Sequence, residues 1–147
     1  MKIVLCRVDE RLVHGEIVNQ WLGFFKADYL LIADDELIED AFMCLMYKAL
    51  LPIWVKPQIL SVPDAAEFLA AHREEDASII LLAKTPVKFL RLSEYGVPIP
   101  LLTLADKIYF PNKRKIPPEY EAALAVLKER GTVIVAQNAP EDEEIFV

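Results

Sequence analysis

Ser78-Ile79-Ile80-Leu81-Leu82-Ala83 is an apolar run with no alternation of polar and apolar positions. A strand wetted on one side reads with period two. A short run that stays apolar is buried on both faces, as in a parallel sheet covered by helices above and below. Lys2–Arg7, Tyr29–Ala33, Gln58–Ser61 and Thr132–Gln137 read the same way, and Leu101–Leu104 and Lys107–Phe110 as shorter strands. Between them lie segments with helix punctuation. Asp34-Asp35 stands as a cap before Glu36–Leu51, where Ile38, Phe42, Leu45, Met46 and Ala49 form an apolar stripe and Pro52 is the stop. Ser61-Val62-Pro63-Asp64 opens a helix toward Ala71, and Thr85-Pro86 opens one that Gly96 ends. Pro117-Pro118 opens Glu119–Arg130, closed by Gly131. This alternation predicts an α/β fold: an open, mostly parallel central sheet with helices on both faces.

The chain has 147 residues, 54% hydrophobic and 27% charged, which suits one well-buried domain over residues 1–147. No repeat, low-complexity tract or linker interrupts it. The apolar runs fall far short of the roughly 20 residues a membrane span needs. The N-terminus meets charge at Lys2 and Arg7, and reads as a strand instead of a signal peptide. Cys6 and Cys44 lack metal-ligand spacing and read as reduced thiols of a cytoplasmic protein. A net charge of -7 argues against nucleic-acid binding, which draws on a basic surface. The local basic run Lys113-Arg114-Lys115, with Lys107 nearby, reads either as a solvated loop or as a guide for an acidic partner face. Trp21, Phe24, Phe25 and Trp54 read as core for the most part, with a docking patch as the alternative.

The chemistry is concentrated after the first strand. Arg7-Val8-Asp9-Glu10-Arg11-Leu12-Val13-His14-Gly15 packs five ionisable side chains and a glycine into nine positions, where an open α/β sheet presents its strand ends. A predicted helix, Gly15–Phe25, follows. His14 is the candidate nucleophile, because a neutral imidazole attacks phosphorus readily and its ordinary pKa of about 6.5 keeps it available near neutral pH. Backbone amides at the helix mouth could receive the resulting negative charge, with Gly15 permitting close approach. Arg11 offers a forked cation to phosphate oxygens, and Asp9 could orient the ring or Arg11. A lone histidine at a helix start is just as readily a cap, so spacing alone leaves both readings open. His72, beside Arg73-Glu74-Glu75-Asp76, reads as structural.

The stretch Arg7-Val8-Asp9-Glu10-Arg11-Leu12-Val13-His14-Gly15-Glu16-Ile17, with Trp21, resembles the signature of IIB components of the mannose–fructose–sorbose family of the bacterial sugar phosphotransferase system. Leu31–Glu36, Ile59–Ala66 and Gly131–Pro140 follow the family in order. The resemblance implies a cytoplasmic phosphocarrier that takes a phosphoryl group on His14 from a phosphohistidine of a IIA partner. It passes the group to a sugar held by membrane IIC and IID partners, without metal or cofactor and without entering the membrane itself. It also implies that Arg11 and Gly15 bind the phosphoryl group, that Asp9 supports the loop and that Asp35 lies beside it. Two departures stand out: Glu16 replaces the usual glutamine, and Pro100–Ala105 is apolar where the family has a glycine- and asparagine-containing segment. They keep open a second reading, a regulatory or binding module of the same fold acting through a partner surface.

Overall fold

The computed structural model describes residues 1–105 and 116–147. Its strands are β1 (Lys2–Val8), β2 (Tyr29–Ala33), β3 (Lys56–Leu60), β4 (Ser78–Ala83), β5 (Leu101–Leu104), β6 (Val133–Ala136) and β7 (Ile145–Phe146). They form one sheet in the order β3-β2-β4-β1-β5-β6-β7. Every pairing is parallel except β6 with β7. The predicted α/β architecture is therefore present, with β3, which carries Pro57, at an edge where a missing N–H is tolerated.

A π-helical turn, Ile17–Trp21, runs into α1 (Leu22–Phe25). The remaining helices are α2 (Ala41–Leu50), α3 (Val62–Ala71), α4 (Pro86–Glu94) and α5 (Pro118–Glu129). Successive residues of the central strands serve opposite cores, which is why those strands read as unbroken apolar runs. Cys6, Leu31, Leu81 and Leu102 pack with Val62, Ala65, Phe89, Leu92, Leu124 and Leu127 of α3, α4 and α5. Leu5, Leu30, Ile80 and Leu82 pack with Leu12, Ile17, Trp21 and Leu22 on the other face. Each fully buried leucine or isoleucine contributes about 1.5–3 kcal/mol relative to exposure.

Glu36–Leu51 is not one helix. Asp34 accepts from the N–H groups of Glu36 and Leu37 and so caps a short 3-10 turn, Leu37–Glu39. Asp40, accepting from Met43 N–H at 3.1 Å, is the cap of α2. The anticipated core stripe also faces the wrong way: Phe42, Leu45 and Met46 are exposed, and Met43, Cys44 and Tyr47 turn toward the core. Trp21 is buried, whereas Phe24 and Trp54 are exposed. Gly96 and Gly131, at φ +92° and +97°, end α4 and α5 in the left-handed conformation that favours glycine. The apolar segment Leu101–Leu104 is the predicted strand, central in the sheet with Leu102 and Leu104 fully buried. Lys107–Phe110 and Lys113-Arg114-Lys115 lie outside the described residues. Cys6 and Cys44 are free, on opposite faces of the sheet.

Neighbouring β1 and β4 send their connections toward opposite edges of the sheet, β1 to β2 and β4 to β5. Such a reversal leaves a crevice at the carboxyl ends of the strands, where ligands of open α/β sheets bind. The Asp9–His14 loop leaves β1 at that point. Backbone bonds from Asp9 N–H to Ala83 O and from Ala105 N–H to Val8 O, both 3.0 Å, fasten it to the strands on either side.

Candidate active site

Asp9 organises the loop. Its carboxylate accepts from Arg11 N–H at 3.0 Å, Arg11 Nε at 3.1 Å and Arg11 Nη2 at 3.0 Å, and its Oδ2 lies 2.8 Å from His14 Nε2. The carboxylate is almost fully buried, which alone would push its pKa up. The side-chain and backbone bonds from Arg11, and then His14, outweigh burial and hold it below the usual carboxylate range. Asp9 is thus an ionised acceptor. Glu16 N–H points at the other ring nitrogen, His14 Nδ1, at 3.3 Å. With an acceptor at Nε2 and a donor at Nδ1, the ring is set in the tautomer that carries its proton on Nε2 and a lone pair on Nδ1.

The loop is held by its apolar residues. Leu12 has φ +55°, a left-handed conformation unusual outside glycine, and its side chain is fully buried beside Val13 and Ile17. Burial of that leucine outweighs a backbone cost of about 1 kcal/mol and fixes the chain on either side of it. His14 O accepts from Val18 N–H at 3.0 Å, so the histidine sits at the head of the helical segment that contains the π turn. Gly15 is not forced by the unloaded fold. A Cβ there would meet only Asn19 Nδ2, at 3.8 Å, and its φ is not positive.

Arg11 Nη2 also bonds Glu16 Oε2 at 3.0 Å, so one guanidinium nitrogen bridges both carboxylates. Asp9, His14 and Glu16 offer donor atoms within 4.8 Å of one another, the spacing of a metal site. Here, however, a fixed guanidinium already supplies the positive charge that an ion would bring.

Arg7 is a buried cation that inspection of the sequence leaves unassigned. Fully buried beneath the loop, it donates from Nη1 to Gln137 O at 2.7 Å and from Nη2 to Asn138 O at 3.2 Å. Its guanidinium lies 4.7 Å from the centroid of the Trp21 ring, whose Nε1 also donates to Asn138 O. Burial pushes the Arg7 pKa down to about 10, against the fields of Asp9 and Glu16, so it stays charged at neutral pH. It ties the segment after β6 to the floor of the site. Arg7→Met is expected to cost about 2 kcal/mol of stability, because the buried Gln137 carbonyl loses its arginine donor and Asn138 O is left to Trp21 Nε1. Urea unfolding monitored by the fluorescence of Trp21 and Trp54 measures that loss.

Asp35 spends its carboxylate on other partners. It accepts from Val62 N–H and pairs with Lys88 and Arg91 of α4, an ionic cluster that Glu36 joins through Lys88. Burial opposes its ionisation, but the Val62 amide and the two cations prevail and hold its pKa down to about 2. It forms no hydrogen bond or ion pair with Asp9, Arg11 or His14 and serves to fasten α4 to the end of β2. His72 stacks on Phe68 at 4.0 Å and donates from Nδ1 to Phe68 O, as a structural histidine does.

The family model described as PTS system sorbose subfamily IIB component matches residues 3–145. An Escherichia coli K12 protein, the N-acetylgalactosamine-specific phosphotransferase enzyme IIB component 2, is 31% identical over 150 residues, covering 97% of this chain and 94% of its own. The fructose-specific EIIB component of Bacillus subtilis 168 is 27% identical over 154 residues, covering 100% and 94%. The crystal structure of manxB from Thermoanaerobacter tengcongensis superposes with a TM-score of 0.85 at 28% identity, covering 99% of this chain and 92% of that one.

Proposed function

We propose, from the premise that this chain belongs to the sorbose subfamily of IIB components of the sugar phosphotransferase system, that His14 carries the phosphoryl group on Nδ1. The observation that carries this reading is the pairing of Nε2 with the ionised Asp9, which makes Nδ1 the nitrogen that bears the lone pair, met only by the long 3.3 Å contact from Glu16 N–H. The donor is a phosphohistidine on a IIA partner. The acceptor is a sugar held by membrane IIC and IID partners. Among the described residues no helix is long and apolar enough to cross a membrane, which fits a chain that reaches the bilayer through such partners.

In loading, the Nδ1 lone pair attacks phosphorus as the P–N bond of the donor breaks, and that bonding pair returns to the donor imidazole. The proton on His14 Nε2 stays where it is, so the ring becomes positive as the Nδ1–P bond forms. Asp9, 2.8 Å away, is placed to stabilise that charge. In delivery the Nδ1–P bond breaks, its pair returns to the ring, and a neutral imidazole leaves as phosphorus bonds the sugar oxygen. The hydroxyl proton of the sugar goes to a base outside this chain. Arg11 is the guanidinium closest to this chemistry by its bonds, and the Gly15 and Glu16 backbone amides at the helix head supply further donors. Gly15 keeps the approach to Nδ1 free of a side chain. Glu16, one of the two departures that kept a binding-only module open, is paired with a cation.

Incubation with a phosphorylated IIA partner is expected to give one acid-labile phosphate per chain, discharged when sugar and membranes containing IIC and IID are added. Labelling without discharge to any sugar in such membranes would leave a phosphorylated regulatory module as the better reading.

A further inference from the structure

Glu16 touches both halves of the proposed site, its backbone N–H meeting His14 Nδ1 and its carboxylate meeting Arg11. Among the described residues, Arg11 is the one cation hydrogen-bonded to the carboxylates of this cluster. Arg7 beneath it donates to backbone carbonyls and to Thr103. The guanidinium that phosphoryl oxygens need is therefore engaged at Nε by Asp9 and at Nη2 by Asp9 and Glu16 together. Asp9 is almost wholly buried and holds three bonds from Arg11, whereas the Glu16 side chain is about one-third exposed and holds one. If an incoming anion displaces either carboxylate, it displaces Glu16.

We infer that Glu16 is a built-in competitor for the phosphoryl group. It keeps Arg11 beside an empty His14 and raises the free energy of the loaded state. This rests on His14 being the carrier. Loading adds a phosphoryl dianion at Nδ1, so Arg11 must release Glu16 or serve three anions at once, and the freed carboxylate stays next to the new charge. Glu16 forms and breaks no covalent bond. It is a positioning residue whose effect is a phosphohistidine of higher transfer potential, quicker to pass its group onward. With a glutamine at position 16 the hydrogen-bonding shape would persist and the repulsion would not.

The test is the partition of the phosphoryl group between the full-length protein and free imidazole, a neutral acceptor whose Nδ1-like nitrogen offers the same bond. The protein is loaded with phosphoramidate, excess imidazole is added, and phosphoprotein and N-phosphoimidazole are quantified by phosphorus NMR at equilibrium. Glu16→Gln is expected to shift the partition about three- to tenfold toward the protein, with the gap closing in ~1 M salt because its origin is charge. A purely structural role for Glu16 would not give a salt-dependent gap. Equal partition in the two labelled proteins, or weaker retention by Glu16→Gln, overturns the inference while leaving His14 as carrier. Absence of label on His14 in both proteins overturns the carrier reading and this inference with it.

Discussion

Alanine at His14 is expected to abolish phosphoryl acceptance, with no residual label on another side chain. Among the described residues, neither His72 nor Cys6 is placed to take over. His72 spends Nδ1 on the Phe68 carbonyl and stacks on its ring. Cys6 is buried with its thiol pKa pushed up to about 12 by desolvation, far from the thiolate form that attacks phosphorus. The substitution should spare the fold. The imidazole contributes hydrogen bonds to Asp9 and Glu16 N–H, while the loop is held by Leu12, Val13 and the backbone bonds of Asp9, so the loss of stability should stay within about 1 kcal/mol. Intact-mass measurement after incubation with the donor, alongside a thermal melt, reads both quantities. Retention of label by the folded variant would disprove the assignment.

Asparagine at Asp9 is expected to slow loading by about 10²- to 10⁴-fold, the range typical for the loss of a group that sets a catalytic histidine's proton. An amide can turn its NH2 toward Nε2. The ring would then carry its proton on Nδ1, where the phosphoryl group must bond. Two further effects act in the same direction: a developing imidazolium loses its counter-charge, and Arg11 loses its Nη2 bond to Oδ2 while its two bonds to Oδ1 become bonds to a neutral amide oxygen. The variant should also be less stable by about 2–3 kcal/mol, because a buried charge partner is removed from an arginine. The pH dependence has a definite sign. The Asp9 carboxyl titrates lower in the folded than in the unfolded chain. Its contribution is therefore present above the ordinary carboxylate range and is lost as pH falls through the folded value. Wild type and Asp9→Asn should converge in stability toward acid. Rapid-quench loading at fixed donor concentration and urea unfolding across pH measure these effects, and a loading rate within threefold of wild type would rule out this role for Asp9.

The strands were legible because burial on both faces leaves runs such as Ser78–Ala83 without a polar position, and the helices α3 to α5 because Ser61, Pro86, Gly96, Pro118 and Gly131 punctuate them. Helix α2 was not, because it is apolar nearly all round. Met43, Cys44 and Tyr47 form one stripe and Phe42, Leu45 and Met46 another, so periodicity alone does not say which faces the core. Asp34-Asp35-Glu36 also carries several capping residues in a row, and only the backbone geometry distinguishes Asp40 as the cap. Strand β7 has two residues next to an acidic stretch and offers no pattern to read.

The grouping of Asp9, Arg11 and His14 was readable because all three sit on one short loop. Arg7 and Asp35 were not, because their partners are remote in sequence: the carbonyls of Gln137 and Asn138 in one case, Lys88 and Arg91 in the other. An arginine at a strand end ordinarily reads as solvated. The available signal was Arg7 opposite Trp21 in the quoted stretch, a cation and a ring that a turn of chain brings together.

The central claim is that phosphorus bonds Nδ1 of His14 while Asp9 keeps the proton on Nε2. Long-range proton–nitrogen correlation spectra of 15N-histidine-labelled protein, recorded before and after phosphorylation and with phosphorus coupling resolved, address it directly. The account predicts phosphorus coupling to Nδ1 of His14, with a protonated Nε2 in both states. Phosphorus on Nε2 of His14, or on any other residue, would contradict it.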